Sequence, residues 1–476
     1  MKVNTMIRSL KTTRYALLLL PFFQLSYANL TVETAKTIQG TVPRLSEELE
    51  NDLKNTGELK PLFGLHVGDK NYYGQKEIDE MPISVNEPFK NKIVPAKIKQ
   101  PAEHEYFDRD GDKLSYLTPI DPIKDIEMQW YHTGDGGIRI PFTPDNKETI
   151  CTMAAFGHNP PITVKLSTDL VLFSEYGDPN YNTYPNKEIQ NKPSATFTVL
   201  EDVVVCYAKP SLKPVKAKGS KKGQWDENYG FLNQSNTDPT KNFPTTGFAY
   251  AQFELILSRP ESAKDYDWYV KKGDALVTVT KNSNTPTVIF NGPDAKDPGK
   301  AWNHVMGGSG NGYSVVIEGK NTKTGKTIQY AFTITKWFDT WQQKSVWNNK
   351  QDIWTLESVR GTQAEVEEAC AAKSGHYRVS RTEDMSNAIE LVGNKTKIQF
   401  EREIGTLISE WGEVDQKTYP NSFGAHSAGS EKRFYVYDPL VDGGRYCDIH
   451  VDNTAKYHCR GNEKENKNAV CASYRP

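Results

Sequence analysis

The sequence predicts a mainly β protein: two β-sandwich domains followed by a smaller α+β module. Three observations carry this. Short runs rich in β-branched and aromatic residues recur between 101 and 340, separated by Gly, Pro, Asn and Asp. After about 355 the pattern changes to two helical segments and then three short strands. Six cysteines, at 151, 206, 370, 447, 459 and 471, form an even set with no Cys-x-x-Cys pair.

The first residues read as an export signal, 1–28. Arg8, Lys11 and Arg14 precede the short apolar run Ala16–Leu25, and Ser26-Tyr27-Ala28 supplies small residues before a cleavage point at Asn29. The apolar run is about half of what a bilayer span needs, and no span is expected in the mature chain. Export by way of the periplasm implies an oxidising destination, secreted or at the cell surface, where six cysteines make three disulfides. The 476-residue chain carries 58 basic and 60 acidic side chains, so its charge points to neither nucleic acid nor anionic lipid as partner.

Residues 29–100 are polar and weakly patterned, and a poorly ordered leader is expected. Within it Val32–Leu53 has helical character, interrupted by Gly40 and Pro43. The first sandwich, 101–211, is built on Thr149–Met153, Ile162–Leu172, Ala195–Leu200 and Val203–Tyr207. Cys151 and Cys206 fall in two of these runs, and a bridge across the sheets of one immunoglobulin-like sandwich is expected. In the chain-entropy account such a bridge contributes on the order of 4 kcal/mol. A linker, 212–244, contains the basic stretch Lys213–Gly223, read as a solvated hairpin tip open to proteolysis. The second immunoglobulin-like sandwich, 245–340, contains Phe248–Leu257, Ala275–Thr280, Tyr313–Ile317 and Gln329–Thr335, with turns at Asn291-Gly292 and Gly307–Gly312. Trp337, Trp341, Trp347 and Trp354 then read as packing between this sandwich and the last module.

The C-terminal module, 341–476, starts with a helix at Thr362–Lys373 carrying Cys370. A second helix is expected at Arg381–Val392, with Ser380 as N-cap and Glu383 completing a capping box. Ser409-Glu410-Trp411-Gly412 follows, with Trp411 read as core. A polar loop of about 413–433 leads to strands at Phe434–Tyr437, Gly444–Val451 and Ala469–Tyr474. This order of elements is that of a C-type lectin-like domain, and in that arrangement Cys370 pairs with Cys471 and Cys447 with Cys459. Those bridges contribute roughly 4.7 and roughly 3 kcal/mol.

Cys370, Gly375-His376-Tyr377-Arg378-Val379, Gly405-Thr406-Leu407, Glu410-Trp411-Gly412 and Ala469-Val470-Cys471 resemble the terminal adhesion domain of enterobacterial invasin/intimin-like adhesins, of the invasin-E type. Upstream, Asp108–Leu114, Trp130 and Gln329–Trp337 resemble the immunoglobulin-like region before that domain. The resemblance spans residues 101–476 and implies a non-enzymatic surface or secreted adhesin. Its partner would be a host or bacterial surface protein or glycan, with an outer-membrane intimin-like protein for display.

Asp108, Asp110 and Asp112 alternate around a glycine and are candidate Ca²⁺ ligands, although an EF-hand counted from Asp108 would need Gly and Glu where Lys113 and Pro119 stand. No other cofactor is expected. Neither the Glu-Pro-Asn nor the Trp-Asn-Asp string of calcium-dependent lectins occurs in 405–471. GxSxG, HExxH and P-loop strings are missing. His104, His132 and His158 lack metal-ligand spacing, and His450 and His458 flank the final hairpin loop. The candidate ligand-binding residues are Lys417, Tyr419, Asn421, Phe423 and His426, exposed aromatics among polar groups on the long loop; the 448–458 loop is the next choice. Two other readings remain open. One is a periplasmic or surface structural protein. The other is an enzyme on a lectin-like scaffold, which would need free thiols.

Overall fold

A computed structural model describes residues 41–108, 114–119, 121–211, 219–221, 223–282, 285–308, 310–348, 353–387, 389–390, 397–398, 400–414, 418–422, 433–440, 444–450, 457–458 and 466–476. The predicted signal peptide lies outside them.

Buried apolar side chains gather in two clusters. One runs from Leu45 to Phe197, the other from Val203 to Ala472. The first is enclosed by two antiparallel sheets. The four-stranded one has the order Ser194–Leu200, Ile162–Ser167, Glu127–Thr133, Arg139–Phe142; the three-stranded one has Tyr181–Tyr184, Leu170–Ser174, Leu114–Thr118. Alternation along Ile162–Ser167 buries Ile162, Val164 and Leu166, as a half-buried strand requires.

Residues 41–100 are not a disordered leader. They hold the helix Glu47–Thr56 and a three-stranded sheet of Lys70–Tyr73, Gly64–Val67 and Ile93–Pro95. The helix begins where Ser46 caps the Leu49 N–H and ends at Gly57. Leu49, Leu53, Leu62, Phe63 and Phe89 enter the first core, with the Phe89 ring 5.1 Å from Trp130. These apolar residues follow no helical or strand period and stand among many charged ones, so the segment reads as polar although most of its apolar groups are buried.

The strand Val205–Pro210, expected in the first sandwich, belongs to the second core. It sits within a six-stranded sheet of order Trp225–Asp226, Gly230–Leu232, Val205–Pro210, Gln252–Leu257, Thr285–Ile289, Thr278–Asn282. Facing it is a three-stranded sheet of Tyr266–Lys272, Tyr313–Asn321 and Thr327–Ile334. The supposed linker 212–244 therefore supplies two strands of this sheet and two core rings, Phe231 and Phe243, stacked at 4.6 Å. An unanticipated helix, Pro298–Met306, opens on Asp297, whose carboxylate accepts the Gly299 and Lys300 N–H groups at 2.9 and 3.1 Å.

Cys151 bonds Cys206, as expected, but not across one sandwich. Thr149–Met153 is a turn rather than a strand, held by the paired Thr149 and Thr152 side chains. Cys151 packs against the first core, and Cys206 is buried on the strand whose Val205 and Ala208 enter the second, so the bridge ties that strand to the first core. Beside it the Cys151 N–H donates to Val85 O at 3.1 Å and the Asn86 amide to Asn233 O at 2.5 Å.

No domain boundary falls at 340. The strand Thr246–Phe248 pairs in parallel with Lys336–Thr340, which pairs with Asn468–Ser473 of the C-terminal sheet. That sheet continues through Arg433–Asp438, Arg445–His450 and Tyr457–His458, with Tyr377–Val379 added on Asn468–Ser473. Gly247 is required here: a Cβ would stand 2.8 Å from the Trp337 ring. Trp337 is buried, and the Trp341 indole donates to Val359 O at 2.8 Å.

The helix Gln363–Ala371 opens with a Thr362/Glu365 capping box, and Cys370 bonds Cys471. Cys447 is disulfide-bonded too, and Cys459, its expected partner, lies outside the described residues. The second helix is only Thr382–Met385. Ser380 does not cap it; its hydroxyl donates to Val470 O at 2.7 Å, and Asp384 accepts the Arg381 N–H at 2.8 Å.

Leu53, Leu59, Leu62, Phe63 and Leu65 have no exposed surface. At roughly 1.5–3 kcal/mol each, they contribute as much as a typical domain's whole net stability. A fragment of residues 101–476 should therefore lose near-UV dichroism and melt without a transition for the first core, whereas 41–476 melts like the full chain. Equal melting of both fragments would contradict this packing.

Candidate ligand-binding surface

The polar loop of about 413–433 begins at the short helix Leu407–Trp411, every residue of which is buried. Its Glu410 carboxylate accepts five hydrogen bonds. Oε1 takes the Thr245 N–H at 3.0 Å, the Thr245 hydroxyl at 2.6 Å and the Gly405 N–H at 2.9 Å. Oε2 takes the Thr246 N–H at 2.9 Å and the Thr246 hydroxyl at 2.5 Å. Burial pushes this carboxyl above the usual range, against the donors that favour its charged form.

Trp411 is core, as the sequence suggests, but in a core shared with the sandwich. Its ring lies 4.9 Å from Phe243, 5.4 Å from Phe248 and 6.1 Å from Phe290. Its indole donates to Thr246 O at 3.1 Å. Gly412 then turns the chain at φ 69°, a conformation that favours glycine. Arg402 is buried beneath the helix and donates to Ile408 O and Ser409 O at 3.0 and 3.2 Å; burial brings its guanidinium down to about 10.

Tyr419 is not an exposed anchor. Its side chain is fully buried, 5.9 Å from Trp411 and 5.4 Å from Phe248, and its hydroxyl donates to Trp411 O at 2.7 Å. It ties the loop down rather than presenting it. Asn421 is exposed two residues on. Lys417, Phe423 and His426 lie outside the described residues. Of the candidate calcium ligands, Asp108 is described and accepts the Thr41 hydroxyl at 3.2 Å, while Asp110 and Asp112 are not described. Among the described residues no three His, Cys, Asp or Glu side chains gather to hold a metal.

A second polar centre escaped the sequence reading. Asp384 has no exposed side-chain surface and pairs with Lys336 and with Arg378, the latter at 2.5 Å. Three separate segments supply these groups, so no local spacing signals them. For the Glu410 clamp a signal does exist: an acidic residue between Leu407-Ile408 and Trp411.

Residues 231–332 match the family model of invasin, domain 4. Over those residues the chain is similar to an invasin domain. The match begins inside the supposed linker, at Phe231, which agrees with the strands found there. The invasin-type match and the disulfides agree with an adhesin-type extracellular protein. No curated protein matches the chain. Among solved structures, the cadherin-like domains 1 to 4 of zebrafish RET align with 10% identity over 58% of this chain, at a TM-score of 0.16, which carries no argument about fold. The alignment spans about half, 51%, of that chain. No described helix is long and apolar enough to cross a membrane.

The Asp384 centre gives the chain a defined acid sensitivity. Burial alone would raise this carboxyl, but Lys336 and Arg378 together hold it below the usual carboxylate range. A carboxyl depressed on folding adds stability that is complete above about pH 4 and is lost as pH falls through the folded value. Asp384→Asn should therefore cost about 3–5 kcal/mol at pH 7, since it strands two cations. The gap to wild type should narrow below about pH 4. Denaturant melts at both pH values check this; a gap that stays constant with pH would contradict it.

Proposed function

We propose that the chain is an exported adhesin, or an accessory to one, whose C-terminal module binds a host or bacterial surface protein or glycan. The observation that carries this reading is the anchoring of the long loop. Trp411 and Tyr419 are sealed in the core next to the invasin-type domain, and Asn421 stands exposed beside them. A loop rooted on a rigid core can vary at its tip and present contacts at low ordering cost.

The lectin-like character of the module is part of the same proposal. It is supported by the helix Gln363–Ala371 bonded through Cys370 to the strand Asn468–Ser473, and by the antiparallel strands that close the module. The binding residues in this reading are Lys417, Asn421, Phe423 and His426; Tyr419 moves from anchor to support. Calcium is not required by it. The export route runs through the periplasm on the 1–28 signal, and an outer-membrane intimin-like partner would display the protein.

The test is binding of the purified mature chain to cultured host cells and to glycan and protein arrays. Lys417→Ala, Asn421→Gly (Asn421 stands at φ 68°, where Ala would be strained) and Phe423→Ala combined should abolish binding and change stability by less than about 0.5 kcal/mol per site. Tyr419→Ala should instead destabilise the fold by roughly 3–5 kcal/mol, the cost of emptying a core aromatic site. Unaltered binding by the triple variant would place the surface elsewhere.

A further inference from the structure

We propose that His132 and His158 form a two-imidazole site for a borderline divalent transition ion, zinc above all, beside the turn of the exposed hairpin Glu127–Thr133 and Arg139–Phe142. The two residues are 26 positions apart and carry no recognisable ligand spacing. The fold brings them together because the segment around 159–161 is stitched along the His132 strand. The Thr133 N–H donates to Asn159 O at 2.9 Å, and the Thr133 hydroxyl to Pro161 O at 3.0 Å.

The two rings then lie 5.1 Å apart between centroids. A metal sits about 3 Å from the centre of an imidazole that ligates it, so two such rings on a tetrahedral ion stand roughly 5 Å apart. Phe142 closes a third side, 3.9 Å from the His158 ring and 5.7 Å from His132.

Two further observations point to an ion. The Nδ1 of His158 is 2.6 Å from Oε1 of Glu148, a carboxylate with no exposed surface. A carboxylate in this position accepts the Nδ1–H, fixes the tautomer and leaves the Nε2 lone pair for a metal, which is how ligating histidines are held. The Nδ1 of His132 is buried with no hydrogen-bond partner in the protein. A buried unsatisfied nitrogen is costly, and an ion is one of the few things that explain it. Imidazole donors favour zinc and copper(II) over magnesium or calcium. Water, or a side chain from a bound partner, completes the coordination beside the exposed Ile138 and Ile140.

The experiment uses the full mature chain without a histidine tag, titrated with Zn²⁺ alone by calorimetry, with bound metal counted after dialysis. His132→Gln and His158→Gln should each lose one zinc equivalent, and Glu148→Gln should weaken that equivalent roughly 10–100-fold. In the unaltered protein, zinc should shift the ring NMR signals of His132 and His158, a readout independent of whether the variants fold. A wild-type chain that binds no zinc, or ring signals of His132 and His158 unmoved at saturation, would overturn the proposal. So would calcium displacing the zinc.

Discussion

A single buried carboxylate holds the second half of the molecule together. Glu410 belongs to the C-terminal module, and four of its five donors are the backbone and hydroxyl groups of Thr245 and Thr246, which lead into the sandwich. Burying a carboxylate costs several kcal/mol, and only dense hydrogen bonding offsets it. Only the Gly405 N–H comes from within the module, so the module depends on the sandwich to satisfy this carboxylate. Trp411, next in sequence, uses the same contact to place its ring among Phe243, Phe248 and Phe290.

The consequence is one hydrophobic core from Val203 to Ala472 rather than two domains on a flexible joint. The parallel pairing of Thr246–Phe248 with Lys336–Thr340 and the Asp384 centre reinforce the same junction. Cys151–Cys206 does for the first and second cores what Glu410 does for the second and its module. Such fixed junctions hold the two cores and the C-terminal sheet in one orientation.

Several elements were legible in the sequence because their signals are local. Ile162–Ser167 shows period-two alternation, and Thr362-x-x-Glu365 before an amphipathic stretch gives a helix start. What was not legible depends on partners distant in sequence. Val205–Pro210 reads as a strand, but nothing in its six residues says which sheet it joins. Ser380-x-x-Glu383 imitates a capping box, yet Arg378 and Lys336 draw Asp384 inward and the helix stops after Met385. Tyr419 stands among Lys417, Thr418 and Asn421 and reads as exposed; a hydrogen bond to the backbone of Trp411 and ring contacts with Trp411 and Phe248 decide otherwise. The segment 41–100 fails for the same reason in a different form: its apolar residues make sense only against a sheet that lies later in the chain.

The account rests on Glu410 coupling the invasin-type sandwich to the C-terminal module, and differential scanning calorimetry of Glu410→Ala addresses it most directly. Removing the acceptor strands the four buried donors of Thr245 and Thr246, at a cost of about 3–5 kcal/mol. If the two parts are one cooperative unit, their shared transition moves down as a whole. If the module instead melts early while the sandwich keeps its wild-type midpoint, or if nothing moves, the clamp does not join them.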